Sequence, residues 1–164
     1  MIKKIERILA DIKTWTLVFI FLIIFFNAIT AQEPNQNKQN EKYLKNFILC
    51  NEILEKNPLS ETGHFSIQDE KVIAWFQFSY KSSEDFLLHW EWINPEGKLY
   101  HHGELEMKAG DYENYRTWYW INIKNGQASN LLGEWKVKIY INDMFLAEKT
   151  FYIINQEKPA DTVS

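Results

Sequence analysis

One cysteine, Cys50, is all that this 164-residue chain contains, so no intramolecular disulfide holds it together. Cys50 sits in FILCNEI, which reads as a core strand, and a thiol there behaves as a small buried hydrophobe. The alternative is a reactive thiol or an intermolecular bridge. There is no surplus of positive charge either. Of 18 Lys and Arg, four fall in the first 31 residues, and of 22 Asp and Glu, two do. Residues 32–164 therefore carry 14 basic and 20 acidic side chains, a formal charge of −6. That balance excludes nucleic acid as the expected partner, because neutralising phosphates takes clustered Lys and Arg. No serine stands in a Gly-x-Ser-x-Gly turn, no glycine loop is shaped to cradle phosphate, and Cys50 has no base nearby in sequence. Glu104 and Glu106 share a strand face, as residues of a solvated face do, and do not amount to a catalytic pair. The expectation is a non-enzyme without a cofactor.

The longest hydrophobic run is also short. Lys3, Lys4, Arg7 and Lys13 precede Trp15 to Phe26, twelve almost purely apolar residues, and NAITA follows. A basic start, a short apolar stretch and a small-residue exit are the marks of a secretory signal helix over residues 1–31, cut after Ala31. The alternative is an uncleaved anchor, with membrane contact only through residues 15–31. A spanning helix wants about 20 apolar residues, and extending this run admits Asn27 and Thr30. Either way the lysines hold the N-terminus inside and place the remainder outside the cytoplasm, periplasmic or extracellular. QEPNQNKQNEK follows, too polar to bury a core, so residues 32–43 read as a flexible linker. Residues 155–164 read as a polar tail, and no internal repeat is present.

Between them, residues 44–154 lack helical periodicity, apart from an expected turn near 41–47, and are dominated by period two. KVIAWFQFSY puts Val72, Ala74, Phe76, Phe78 and Tyr80 on one face and Ile73, Trp75 and Gln77 on the other. FLLHWEW separates Phe86, Leu88, Trp90 and Trp92 from Leu87, His89 and Glu91. GELEM sets Leu105 and Met107 against the two glutamates, and WYWINI sets Trp118 and Trp120 against Tyr119, Ile121 and Ile123. GEWKVKIYI separates Trp135, Val137, Ile139 and Ile141 from Tyr140 and its charged neighbours, and FYII separates Phe151 and Ile153 from Tyr152. NPEG, KNG and IND supply turns. Such alternation means antiparallel strands with one buried face, in a sandwich or a barrel.

The motifs LCNEILEKNP, KVIAWFQF, HWEW…PEGK, YRTWYW and GEWKVKIYINDMFLAEKTFYI, in that order, resemble a family of bacterial envelope domains of unknown function, over roughly residues 47–153. The chain departs from that pattern by the insertion GDYENY before Arg116 and by the double histidine at 101–102. The resemblance implies an all-β, immunoglobulin-like antiparallel β-sandwich outside the cytoplasm. It implies no catalytic residue.

Binding candidates come from residues facing away from the expected core. Trp75, Tyr119, Tyr140 and Tyr152 read as outward aromatics, fit to anchor a protein or stack on a sugar. Arg116, among the aromatics of YRTWYW, reads as a residue that pins a loop, stacks on Trp118, or pairs with Glu91 or Glu134. His89 and His101 flank the NPEGK turn and are the metal candidates, as cross-strand neighbours. His102, adjacent to His101, points to the opposite face. The expected function is docking to a cell-envelope protein. The alternatives are carbohydrate binding through Trp75 and tyrosines, and metal binding at the hairpin histidines.

Overall fold

The computed structural model describes residues 42–155. The expected signal segment, and nearly all of the expected linker and polar tail, lie outside the described residues. Ten strands follow one another: β1 (Leu44–Cys50), β2 (Ile53–Leu54), β3 (Asn57–Pro58), β4 (His64–Ser66), β5 (Lys71–Ser82), β6 (Phe86–Ile93), β7 (Leu99–Met107), β8 (Gly110–Asn122), β9 (Gly133–Ile141) and β10 (Met144–Ile154). Of the expected turn near 41–47, Lys42 and Tyr43 are in a turn, whereas Leu44 to Phe47 begin β1, which pairs with Phe78 to Ile73 of β5. The single helical element among the described residues is a 3₁₀ turn, Gln127–Asn130.

β1, β5 and β8 make one sheet in that order, and β4, β10, β9, β6 and β7 make a second. All pairings are antiparallel except β4 with β10. The short hairpin β2–β3 forms a two-stranded ladder of its own. The order is that of an immunoglobulin-like sandwich. β1, β5 and β8 stand for strands A, B and E, and β10, β9, β6 and β7 for G, F, C and C′. Among the described residues no strand lies beyond β8 where D would lie, and that open side defines the flank described below.

The turns form where the sequence placed them. Asn94 Oδ1 accepts the N–H groups of Glu96 and Lys98 at 3.0 and 2.9 Å, and Gly97 takes φ 75°. Asn142, at φ 50°, accepts the Leu87 N–H at 2.8 Å and so ties the β9–β10 hairpin to β6.

The sheets meet through aromatic side chains. Phe76 lies 5.5 Å from Trp90 and Tyr80 lies 4.9 Å from Phe86, each pair crossing the interface. Nine Phe and Trp rings are buried in this core. Each contributes roughly 1.5–3 kcal/mol on leaving water, so the sandwich holds without a disulfide. Val72 to Phe78, Phe86 to Trp92, Trp135 to Ile141 and Phe151 and Ile153 all face inward by alternation as the sequence indicates.

Two strands depart from the expected faces. In β8 the inward residues are Thr117, Tyr119 and Ile121, whereas Trp120 is 45% exposed and Trp118 half-buried. Both faces of WYWINI are apolar, so alternation alone does not choose between them. Ile121, opposite Val72, and Ile123 take the core. In β7, Leu105 is 38% exposed although Met107 is buried, because β7 ends its sheet.

Candidate functional site

β5 is buried on both faces, and this removes the first aromatic candidate from the surface. Trp75 is 3% exposed. The β2–β3 hairpin covers it, and its indole N–H donates to the Lys56 carbonyl at 2.9 Å. Arg116 Nη1 donates to Asn57 Oδ1 of the same hairpin at 2.9 Å, and its partner is neither Glu91 nor Glu134.

The histidine pairing also differs from expectation. Near the turn Ile93 pairs with Leu99, but Trp92 pairs with His101, so a one-residue bulge falls at Tyr100. An extra residue moves every later side chain of β7 to the other face. His89 therefore pairs with Glu104, and Glu91 with His102. His102 shares the outer face with His89, their rings 5.0 Å apart, and bonds Glu104 at 3.2 Å. His101 turns to the core side. Among the described residues no three His, Cys, Asp or Glu side chains converge on a metal position.

On that outer face Tyr140 stacks on His89 at 4.4 Å and donates its hydroxyl to Glu91 at 2.9 Å. Burial and the Glu91 carboxylate push the Tyr140 phenol up to about 12. Burial, then the neighbouring His102, lowers the His89 pKa below its usual 6.5, and His89 Nδ1 is buried without a partner. Tyr152 remains 38% exposed, stacks on His64 and donates to Glu134 at 3.0 Å. Cys50 is fully buried, and burial pushes its thiol up, so it stays protonated at neutral pH.

The sequence-predicted residues thus scatter, and the feature that gathers side chains is the flank between β7 and β8. Among the described residues β8 has a strand neighbour on one side only. Its register with β5 runs unbroken from Lys71↔Asn122 to Phe78↔Tyr115, and the Ile123 N–H continues it to the Glu70 carbonyl. Bonded and non-bonded pairs alternate in an antiparallel ladder. The odd-numbered residues therefore bond to β5, while the N–H and C=O groups of Arg116, Trp118, Trp120 and Asn122 point away from the sheet.

Tyr119 bridges the gap to the other sheet. Its hydroxyl lies 3.2 Å from His101 Nε2, and its ring packs 5.4 Å from Trp90 and 5.8 Å from Trp120. Gly103 makes this possible, since a Cβ there would fall 2.5 Å from the Tyr119 ring. A groove of about 370 Å³ results, lined by Tyr100, His101, Tyr119, Trp120, Ile121 and Asn122. A second hollow of about 460 Å³ lies along the same strand, lined by Lys56, Glu113, Asn114, Arg116 and Trp118. Lys71 Nζ sits 5.7 Å from the Trp120 ring. The ion pairs of the described residues all lie elsewhere, so Lys56, Lys71 and Arg116 have no carboxylate partner among them.

Tyr119 thus belongs to the flank from the core side, while Trp120 and His101 enter it unexpectedly. Gly103, directly across β7 from Trp90, is the sequence signal that a large side chain is seated there.

No family model and no curated protein matches the chain. Among solved structures it is similar to an immunoglobulin-like protein from Pseudomonas aeruginosa, with TM-score 0.48 and 16% identity over 68% of this chain and 95% of that one. It is also similar to an alkylpurine DNA glycosylase from Pseudomonas fluorescens, with TM-score 0.43 and 10% identity over 68% of this chain and 30% of that one. The fold assignment stands on the strand order itself.

Proposed function

We propose that this chain is an exported, non-enzymatic immunoglobulin-like module that docks to a protein of the cell envelope through the β8 edge. The N-terminal basic and apolar pattern supports export, and the polar segment after it supplies a leash of about ten residues. The motif order supports a place among bacterial envelope domains. The observation that carries docking is the state of the edges. β7 ends its sheet with exposed Glu104 and Glu106, β4 ends it with three residues, and β1 ends the smaller sheet with exposed Lys45. Charge and shortness are the usual protections against unwanted pairing. β8 has 13 residues, an exposed Trp120, an exposed Tyr115 and no proline, with only the positive-φ Asn114 interrupting it. A long open edge with aromatic neighbours suits strand addition by a partner.

The test is cross-linked capture of tagged full-length protein from its own envelope fraction, in parallel with Trp120→Lys. One envelope protein recovered repeatedly with the natural sequence and lost with the variant is the expected result. Recovery unchanged by Trp120→Lys counts against the β8 edge.

A sugar-binding reading has one observation in its favour. Trp120 offers an exposed ring beside the polar groups of Asn122, His101 and Tyr119. Under that reading soluble oligosaccharides quench tryptophan fluorescence, and Trp120→Ala abolishes the quenching while Trp75 stays buried.

A further inference from the structure

We propose that the β8 flank takes an extended partner segment in which apolar and acidic side chains alternate. This rests on the docking reading above and specifies the partner's chemistry. A strand laid beside β8 bonds to the outward groups of Arg116, Trp118, Trp120 and Asn122. The unbroken register from Tyr115 to Asn122 gives it about 26 Å, or about eight residues. Its side chains then alternate between two environments. One set enters the groove of Tyr100, Tyr119 and Ile121, between the sheets, where the missing strand would have contributed core residues. That set is apolar.

The other set lies over the outer side of β8, beside Lys56, Arg116 and Lys71. These three cations have no carboxylate partner among the described residues, in a chain whose formal charge is −4. Glu113 is the one acid lining that hollow. A carboxylate entering there gains charge-assisted bonds, most of all from the planar Arg116. A second copy of the same edge is disfavoured, because it would bring Arg116 and Lys71 against their own likeness.

The probes are two capped synthetic octapeptides, one alternating valine with glutamate and one alternating valine with lysine. The readout is amide hydrogen exchange by NMR on the full-length chain in mild detergent. The glutamate peptide is expected to slow exchange at Arg116, Trp118, Trp120 and Asn122 more than tenfold, and to bind at least tenfold more tightly than the lysine peptide. Lys71→Gln, at a side chain with no hydrogen bond to lose, is expected to narrow that preference without disturbing the fold. Equal protection by both peptides keeps strand addition and overturns the acidic partner. Protection by neither overturns the docking reading of β8 itself. Protection without peptide that grows with protein concentration assigns the flank to a second copy and overturns the proposal.

Discussion

Gly103 is the residue on which the flank turns. Its φ is ordinary, so its conformational freedom is not the point; its missing side chain is. A methyl group placed there meets the aromatic carbons of Tyr119 at 2.5–2.6 Å, well inside contact distance. The Tyr119 ring is held on its other sides by Trp90 and Trp120 and by the His101 bond, so it has little room to yield. Gly103→Ala is therefore expected to cost about 1–3 kcal/mol by overpacking. In a Tyr119→Ala background the same change is expected to cost much less, because the ring it strikes is gone. Urea unfolding of the four proteins of that cycle measures both. Equal costs in the two backgrounds would falsify the seat assigned to Tyr119.

At the scale of the elements, β7 shows both how far the sequence goes and where it stops. Alternation identified β5, β6, β9 and β10 and their buried faces, because each of them pairs an apolar row with a more polar one or is apolar throughout. It misjudged the histidines for one reason. The bulge at Tyr100 is a single extra residue, and period two carries no mark of it. His89 and His101 share parity and would share a face without that bulge; with it, His102 comes to His89. Trp75 failed differently. Whether a hairpin folds over a strand is a long-range fact, and LCNEILEKNP does not state where its carbonyls point. Both faces of β8 are apolar, so the choice between Tyr119 and Trp120 was not written in the pattern. The edge itself was invisible, since strand order is settled by the whole fold.

The β6–β7–β9 face that this register builds carries a pH dependence. His89 lies under Tyr140 with its Nδ1 buried, and His102, Glu91, Glu104 and Asp143 are the titratable groups acting on it. Burial, then His102, lowers its pKa in the folded state below 6.5, so near that pH the unfolded chain binds the proton first. The stability contributed by neutral His89 is complete above 6.5, falls as pH drops below it, and levels off beneath the folded-state pKa. His89→Phe, which keeps a ring for Tyr140, is expected to flatten that fall below pH 6.5. The check is the urea midpoint of both proteins across that window. Parallel pH profiles would mean that another group sets the slope.

The whole molecule offers a further inference from where its tryptophans sit. Trp90, Trp92 and Trp135 belong to the five-stranded sheet, and Trp75, Trp118 and Trp120 to the three-stranded one. The inner face of the smaller sheet presents Phe76 and Phe78, and it buries them largely against Phe86, Trp90 and their neighbours across the interface. Three strands exposing such a face to water have nothing else to bury it against, so the sheets are expected to unfold together. A domain of this size with one shared core behaves as two states. For the chain beginning at Gln32, tryptophan fluorescence and far-ultraviolet circular dichroism are expected to give one urea midpoint within error. The fluorescence reports both sheets at once, so separate unfolding would split its transition. Two fluorescence transitions more than about 0.5 M urea apart, a sizeable free-energy gap at slopes of about 1–3 kcal/mol per molar, would show that one sheet opens before the other. Where the first transition is lost in Trp118→Phe and Trp120→Phe, the docking edge belongs to a locally unstable unit, and partner binding orders it as well as covers it.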